Sequence, residues 1–464
     1  MKLFNEIEKF GANVCLVDKN EKKITYKNLI EKSETLNKNL KSRTLIFVLV
    51  QNNAECIISY VSFFKKGLVQ MLLDPKINIV LLKKLIEDYS PHYIFLPTSR
   101  CKDFQHYDIV EEFNDYKIIK LKNKDDYPIN NDLALLLTTS GSTGSKKFVR
   151  ISYDNIYDNT KNIVKYLEIL QFHKTITTMP PFYTYGLSII NTHLFAGASL
   201  VVTNVSVVEK LFWKLVKNQK IISFGGVPYF YEILKKIKFN KMILPNLKYF
   251  TQAGGALNKN LTKYFLDYAK KNKIKFIVMY GQTEATARMT YLPHKFAFKK
   301  IGSIGIPIPG GTITLSKNNK KGESGEIIYS GKNVSMGYAK NYKHLVKRDE
   351  NKGILATGDL AKIDNDGFLY LLGRKSREVK LYGHRVNLDE LENLLVQKGY
   401  KCACYGFDNM VTIFHTDKSY SQKVLKDLSE LTKINIDCFK LKYLRKFPIG
   451  ANGKISHKNL EKFI

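Results

Sequence analysis

The sequence predicts an α/β protein: a large N-terminal domain of helix-covered β-sheets with a β-rich subdomain, then a small α+β C-terminal domain. Three observations predict it. Short apolar runs alternate with amphipathic stretches through the first two-thirds of the chain, the pattern changes to brief strands between Gly and Asx turns near residue 300, and a new unit begins after 376.

Taken in order, TLIFVLV (44–50), VQMLLD (69–74), YIFLP (93–97) and LALLLTT (133–139) are continuously apolar rather than alternating. That is the mark of strands buried on both faces. TITTMPP (175–181), SLVVT (199–203), IISFGGVP (221–228), YFTQAGG (249–255) and FIVMYGQ (276–282) extend the series. Between them, VEKLFWKLVKNQ (208–219) and LTKYFLDYAKKN (261–272) place apolar residues at helical spacing. Strands alternating with helices predict parallel sheets covered on both faces. From about 300, ITLSK, GEIIYSG, GILATGDLAKID and GFLYLLGR predict an antiparallel β subdomain reaching 375. Beyond 376, helices at LDELENLLVQK (388–398) and SQKVLKDLSELTK (421–433) accompany a strand at MVTIFHT (410–416). The expected domains are therefore 1–375 and 376–464.

Composition narrows the function. At 464 residues, with 44% hydrophobic and 25% charged, the chain is not wholly disordered. Its net charge is +32. The lysines are spread along the whole chain, with no polybasic tail and no finger, homeodomain or zipper pattern, so no nucleic-acid partner is expected. The 6 cysteines (15, 56, 101, 402, 404 and 438) form no CxxC pair and no metal-ligand spacing. Cys402 and Cys404, in CACYGF, read as buried strand thiols, and the chain reads as reduced and cytoplasmic. No apolar run approaches the ~20 residues of a membrane span. The start, MKLFNEIEKF, carries acids and no long apolar region, so no signal peptide is expected there.

The strongest chemical signal is TTSGSTGSKK (138–147). A buried strand ends, and small or hydroxylated residues with two glycines close on Lys146 and Lys147. Such a loop can gather backbone N–H groups, hydroxyls and a cation around a phosphate, although a Ser/Gly-rich stretch also serves as a plain linker. It is not a Walker-type loop, because Gly141 and Gly144 are three apart and no Ser or Thr follows the lysine.

Further runs follow in order: YFTQAGGAL (249–257), MYGQTEAT (279–286), ATGDLAKIDNDGFLYLLGR (356–374), REVKLYGHRV (377–386) and FPIGANGKI (447–455). Together with the first loop they resemble the adenylate-forming superfamily of acyl-CoA synthetases, peptide-synthetase adenylation domains and firefly luciferase. The resemblance spans roughly 130–464, and the first 130 residues look like a shortened first subdomain. It implies an enzyme that uses ATP and Mg²⁺ to turn a carboxylic acid into acyl-AMP and pyrophosphate, then into a thioester with CoA. Carrier-protein phosphopantetheine and amino-acid adenylation are the alternatives. It also implies that 376–464 is a mobile lid.

By resemblance, Thr139, Ser140, Gly141, Ser142, Thr143, Gly144 and Lys147 form the phosphate cradle, with Lys146 where the family usually has Pro. Gly254, Gly255 and Ala256 match the segment against adenine, and Tyr280, with Gly281 and Gln282, the aromatic face opposite. Thr283 meets the α-phosphate and Glu284 the metal. Asp359 matches the residue accepting from both ribose hydroxyls, which an ionised carboxylate can do at once, and Arg374 supports ribose or phosphates. Lys454 matches the lysine of adenylate formation and Lys380 the segment facing the site in the second conformation, with Gly383 leaving room for a pantetheine arm. The hinge falls at Ser376, where the family commonly has Asp or Lys, and Arg385, Val386 and Asn387 replace the frequent RIE.

The substrate wall is expected in 179–200 and 224–234, with Tyr183, Tyr185, Phe224, Gly225 and Tyr229 as lining. Amino-acid-activating relatives usually place an Asp in the first segment. This one has no acid, and Tyr183 stands where acyl-CoA synthetases commonly carry His. An unpaired ammonium there would be costly, so an aliphatic or aromatic carboxylic acid is expected. The basic surface suits an acidic carrier protein as the alternative acceptor to CoA.

Overall fold

The computed structural model describes residues 2–464 other than 105, 122–125, 139–146, 317–323, 382–383, 408–409, 421, 433 and 451–453. The chain forms two compact units. One comprises Met1–Thr312 with Tyr329–Leu355, the other Ile313–Ile328 with Ala356–Ile464.

The first unit holds two large sheets. One has eight strands in the order Tyr338–Ala339, Phe148–Ser152, Leu133–Thr138, Val69–Leu73, Leu45–Leu49, Tyr93–Pro97, Tyr116–Lys120 and Asp108–Phe113. Its central strands are parallel, as their continuous apolar runs predict, and every residue of Leu45–Leu49 and Val69–Leu73 is buried. Phe148–Ser152 returns antiparallel beside Leu133–Thr138, so the 139–146 segment joins two neighbouring strands.

The other sheet has nine strands, ordered Ile306–Pro307, Thr290–Tyr291, Lys275–Tyr280, Tyr249–Gln252, Ser223–Gly226, Lys174–Ile176, Ser199–Val201, Val14–Val17 and Lys23–Thr25. The helices Lys210–Asn218 and Lys259–Lys271 form where periodicity placed them. The helix Thr184–Phe195 was not legible in that way. Every residue from Thr184 to Leu194 is buried, so it has no polar face to set a period. Its first turn lies so close to the preceding chain that a Cβ on Gly186 would fall 2.4 Å from the Pro180 carbonyl oxygen.

The second unit contains most of the four-stranded sheet Gly311–Leu315, Gly325–Gly331, Ile354–Ile363 and Leu369–Arg374. It adds the hairpin Glu378–Leu381/His384–Asn387 and a three-stranded sheet of Cys402–Phe407, Met410–His415 and Phe439–Tyr443. The helices Leu388–Gln397 and Gln422–Thr432 match the periodicity. The division differs from the boundary expected at 375/376. The hairpin that pairs Asp359 with Arg374 continues into a turn bound to the next helix, so Ala356–Lys375 stays with the C-terminal residues. The buried thiols Cys402, Cys404 and Cys438 pack with Leu391, Val411 and Phe439 in this unit's core.

Candidate active site

In the first unit, several expected residues converge at the end of the strand Leu133–Thr138. The Thr283 hydroxyl donates to the Thr138 carbonyl (3.5 Å) and lies 3.3 Å from Thr184 Oγ1 at the start of the buried helix. Glu284 follows in a half-buried 3-10 turn, Thr283–Ala285. The Tyr338 hydroxyl donates to its Oε1 at 2.9 Å. Lys147 places its ammonium 3.3 Å from the centroid of the Tyr338 ring, a cation–π contact. Sheet pairing explains this meeting: Tyr338 stands opposite Val149, and Ala339 opposite Phe148.

The turn after Glu284 is held by buried side chains. Thr286 adopts φ +66°, which costs a β-branched residue energy, and donates to the Asn333 carbonyl at 2.6 Å. Asn333 donates to the Ala285 carbonyl (2.9 Å) and accepts from the Tyr329 hydroxyl (2.8 Å). Gly281 is pressed against this turn, where a Cβ would fall 1.8 Å from the Ala287 oxygen. Gln282 Nε2 reaches the hydroxyl of buried Tyr280 at 3.4 Å.

At the end of the strand Tyr249–Gln252, Gly254 has φ +83° and a Cβ there would meet the Tyr183 hydroxyl at 2.7 Å. Gly255 and Ala256 are exposed, and the Gly255 carbonyl accepts from Gln252 Nε2. Gly225 lies against the Tyr185 hydroxyl, which sits 2.7 Å from Thr251 Oγ1 and donates to the Thr251 carbonyl. Of the expected wall, Phe224 borders a cavity, yet its ring packs among Phe239 and Phe250. That is the sheet face opposite Gly225. Tyr229 is 54% exposed and borders none of the described interior cavities.

In the second unit, the Asp359 carboxylate pairs with Arg374 Nε at 3.0 Å. Its backbone turn is fixed by Gly358 at φ +71°, whose N–H donates to Glu326, and by Thr357 Oγ1, which accepts from the Asp359 N–H. Lys454 accepts through its carbonyl from Gly450 N. Burial pushes its ammonium pKa down to about 8, the nearby Arg374 charge pushes the same way, and Asp359 partly opposes them. Lys380 occupies the strand Glu378–Leu381, paired with Arg385.

Ser376 is exposed in the turn Lys375–Arg377, between anchored neighbours. Arg377 binds Glu392 (2.6 Å) and Asp389 (2.8 Å), while the Arg374 N–H donates to Asp389. Asn387, at the departure from RIE, caps the helix Leu388–Gln397 and donates to the Arg374 carbonyl. Thr139, Ser140, Gly141, Ser142, Thr143, Gly144 and Gly383 lie outside the described residues.

Among the described residues no group of three or more His, Cys, Asp or Glu side chains could hold a metal alone. A single half-buried carboxylate, Glu284, suits a hard cation that arrives with phosphate oxygens, which is how Mg²⁺ commonly binds. Sequence reasoning missed Tyr338 and Asn333, which lie far along the chain from Glu284 and carry no motif. It also missed Arg288, a buried cation four residues past Glu284.

Similarity to known proteins gives the class. Residues 3–339 match the AMP-binding enzyme family. A 2-succinylbenzoate–CoA ligase from Oceanobacillus iheyensis is 27% identical over 388 residues, covering 81% of this chain and 78% of that protein. A D-alanine–D-alanyl carrier protein ligase from Bacillus cereus is 26% identical and is covered over 99% of both chains. The solved o-succinylbenzoate coenzyme A synthetase of Bacillus subtilis, in complex with ATP and magnesium, superposes with a TM-score of 0.81 at 20% identity, covering 99% of both chains. The chain belongs to the AMP-binding enzyme family. It is an enzyme of the AMP-forming ligase class.

Proposed function

We propose that the chain is an ATP-dependent acid–thiol ligase acting on a carboxylic acid that lacks an α-ammonium group. In the first half-reaction a carboxylate oxygen bonds to the α-phosphorus and pyrophosphate leaves. In the second, the thiol sulfur bonds to the acyl carbon, the thiol proton is released and AMP leaves. One observation supports the reading best: Thr283, Glu284, Tyr338 and Lys147 converge at the end of the strand that leads into 139–146.

In this reading Mg²⁺ supplies charge neutralisation at the phosphates. Glu284 would hold it, aimed by the Tyr338 hydroxyl. Thr283 donates to an α-phosphate oxygen, and Tyr280 and the Gly254–Ala256 segment enclose the adenine. Asp359, already oriented by Arg374, accepts from the ribose hydroxyls. Lys454 meets the charge developing between acid and phosphorus. The acid enters beside Tyr183, and no carboxylate in 179–200 receives an ammonium.

CoA is the favoured acceptor. The net charge of +32 supports an acidic carrier protein as the second reading. Among the described residues no helix is long and apolar enough to cross a membrane. The free cysteines are consistent with a reducing, cytoplasmic setting. ATP–pyrophosphate exchange across a panel of carboxylic acids, each paired with its α-amino counterpart, tests the reading. Exchange with the deaminated member of each pair is expected, and a clear preference for the amino acids would refute it.

A further inference from the structure

Arg288 is 2% exposed and is paired with no carboxylate among the described residues. Its Nη2 donates to Ser188 Oγ (3.1 Å), and its Nη1 makes long contacts of 3.4 Å to the Tyr166 hydroxyl and to Met279 Sδ. The guanidinium lies 5.0 Å from the Tyr185 ring centroid, and its buried Nε has no hydrogen-bond partner. Among the described residues no carboxylate pairs with it, and its hydrogen-bond partners are a serine, a tyrosine and a methionine. Burial raises the pKa of the Tyr166 and Tyr185 hydroxyls and pushes that of Tyr249 up to about 12, so all three are neutral. Burial also pushes His193 down to about 4. A buried cation is costly unless an opposite charge pairs with it, so an anion bound beside Arg288 would offset that cost.

The guanidinium borders a small cavity shared with Thr175, His193, Ser223, Gly225 and Thr251. The cavity lies deeper along the strand Tyr249–Gln252 than Gly254, the glycine that meets Tyr183. Gly254 follows the end of that strand, in a bend at φ +83°. The Tyr183 hydroxyl stands against Gly254, and the Tyr185 hydroxyl against Gly225 and Thr251.

We infer that the acid substrate carries a second anionic group, a carboxylate several bonds from the reacting one, and that Arg288 receives it at the inner end of the pocket. This rests on the ligase reading above. The planar guanidinium suits a carboxylate, which it can bind through two parallel N–H donors. The same charge repels an ammonium, which adds a positive reason for excluding amino acids.

The test compares α,ω-dicarboxylic acids of four to eight carbons with their monomethyl esters, by ATP–pyrophosphate exchange and by thermal shift. Wild type, Arg288→Gln and Arg288→Lys are each measured. Wild type is expected to favour one diacid over its ester by tenfold or more in kcat/KM. In Arg288→Gln the advantage should vanish through the diacid KM, with the KM for ATP unchanged, and Arg288→Lys should restore part of it. Wild type requires no variant to fold, so its preference decides alone if the variants are insoluble. Exchange that runs equally on esters or simple monoacids overturns the inference and leaves the ligase reading standing. Diacid-specific stabilisation without exchange overturns the ligase reading and leaves the anion seat. Neither exchange nor stabilisation with any acid overturns both.

Discussion

The Tyr338 hydroxyl donates to Oε1 of Glu284 at 2.9 Å, across 54 residues of sequence. Because the same ring lies under the Lys147 ammonium, Tyr338 joins the carboxylate proposed to hold Mg²⁺ to the cation that closes 139–146. Its position is fixed by the short pairing of Tyr338–Ala339 with Phe148 and Val149, not by any local motif.

Tyr338→Phe keeps the ring and the cation contact but removes the bond that aims Glu284. Exchange should fall about fivefold, the rate equivalent of about 1 kcal/mol. The Mg²⁺ concentration for half-maximal rate should rise. Glu284→Gln should lose orders of magnitude, because the carboxylate itself is gone. A Mg²⁺ titration of both variants checks the ordering; a Tyr338→Phe curve that overlays wild type would refute the aiming role.

The two levels of legibility differ for a physical reason. Strands such as Leu45–Leu49 and Leu133–Thr138 were readable because burial on both faces writes a continuous apolar run. The proposed nucleotide residues were assigned through a family resemblance carried by short contiguous motifs. Thr184–Phe195 was hidden by uniform burial, and Tyr338, Asn333 and Arg288 by the distance in sequence between partners that only the fold brings together. Asn387 shows the limit from the other side. It stands where the family frequently has Glu, and its side chain caps a helix and holds the Arg374 carbonyl.

Gly281→Ala tests the packing beneath the proposed adenine segment. A Cβ 1.8 Å from the Ala287 oxygen cannot be accommodated by a side-chain rotation, since the obstacle is backbone. The strained Thr286 turn would have to move. A loss exceeding about 4 kcal/mol, or failure to fold, is expected. Chemical denaturation measures it, and a stability within about 0.5 kcal/mol of wild type would show that the turn yields easily.

Lys454 should trade stability for activity. Its folded pKa of about 8 lies below the ordinary 10.5, so between those values the unfolded chain binds more protons and stability rises with pH. Below about 8 both states are charged and the folded state bears the full desolvation cost. Lys454→Met should therefore raise the melting temperature at pH 7, with the gain shrinking towards pH 10.5. Melting curves at several pH values decide it; a variant destabilised at pH 7 would mean that the ammonium's attraction to Asp359 outweighs its burial.

The last expectation concerns the proposed lysines and the turn that precedes them. One active site must shield a charged displacement at phosphorus and then admit a thiol to a carbonyl, and rotation about a few hinge residues is the usual solution. Ser376 is exposed in the turn Lys375–Arg377, and rotation there has to release Arg374 from Asp389 and Asn387, which belong to the same capped helix that binds Arg377. If Lys454 and Lys380 take turns, their losses should separate by step. Lys454→Ala should cripple adenylate formation and leave thioester formation from supplied acyl-AMP largely intact. Lys380→Ala should leave pyrophosphate exchange running and slow thiol transfer. Ser376→Pro fixes φ near −65° and removes an N–H, so it should spare at most one half-reaction. Both half-reactions, measured on all three variants, give the answer. Equal loss of both steps in Lys454→Ala, with acyl-AMP supplied, would mean that one fixed arrangement serves the whole reaction and that the turn at Ser376 does not move during turnover.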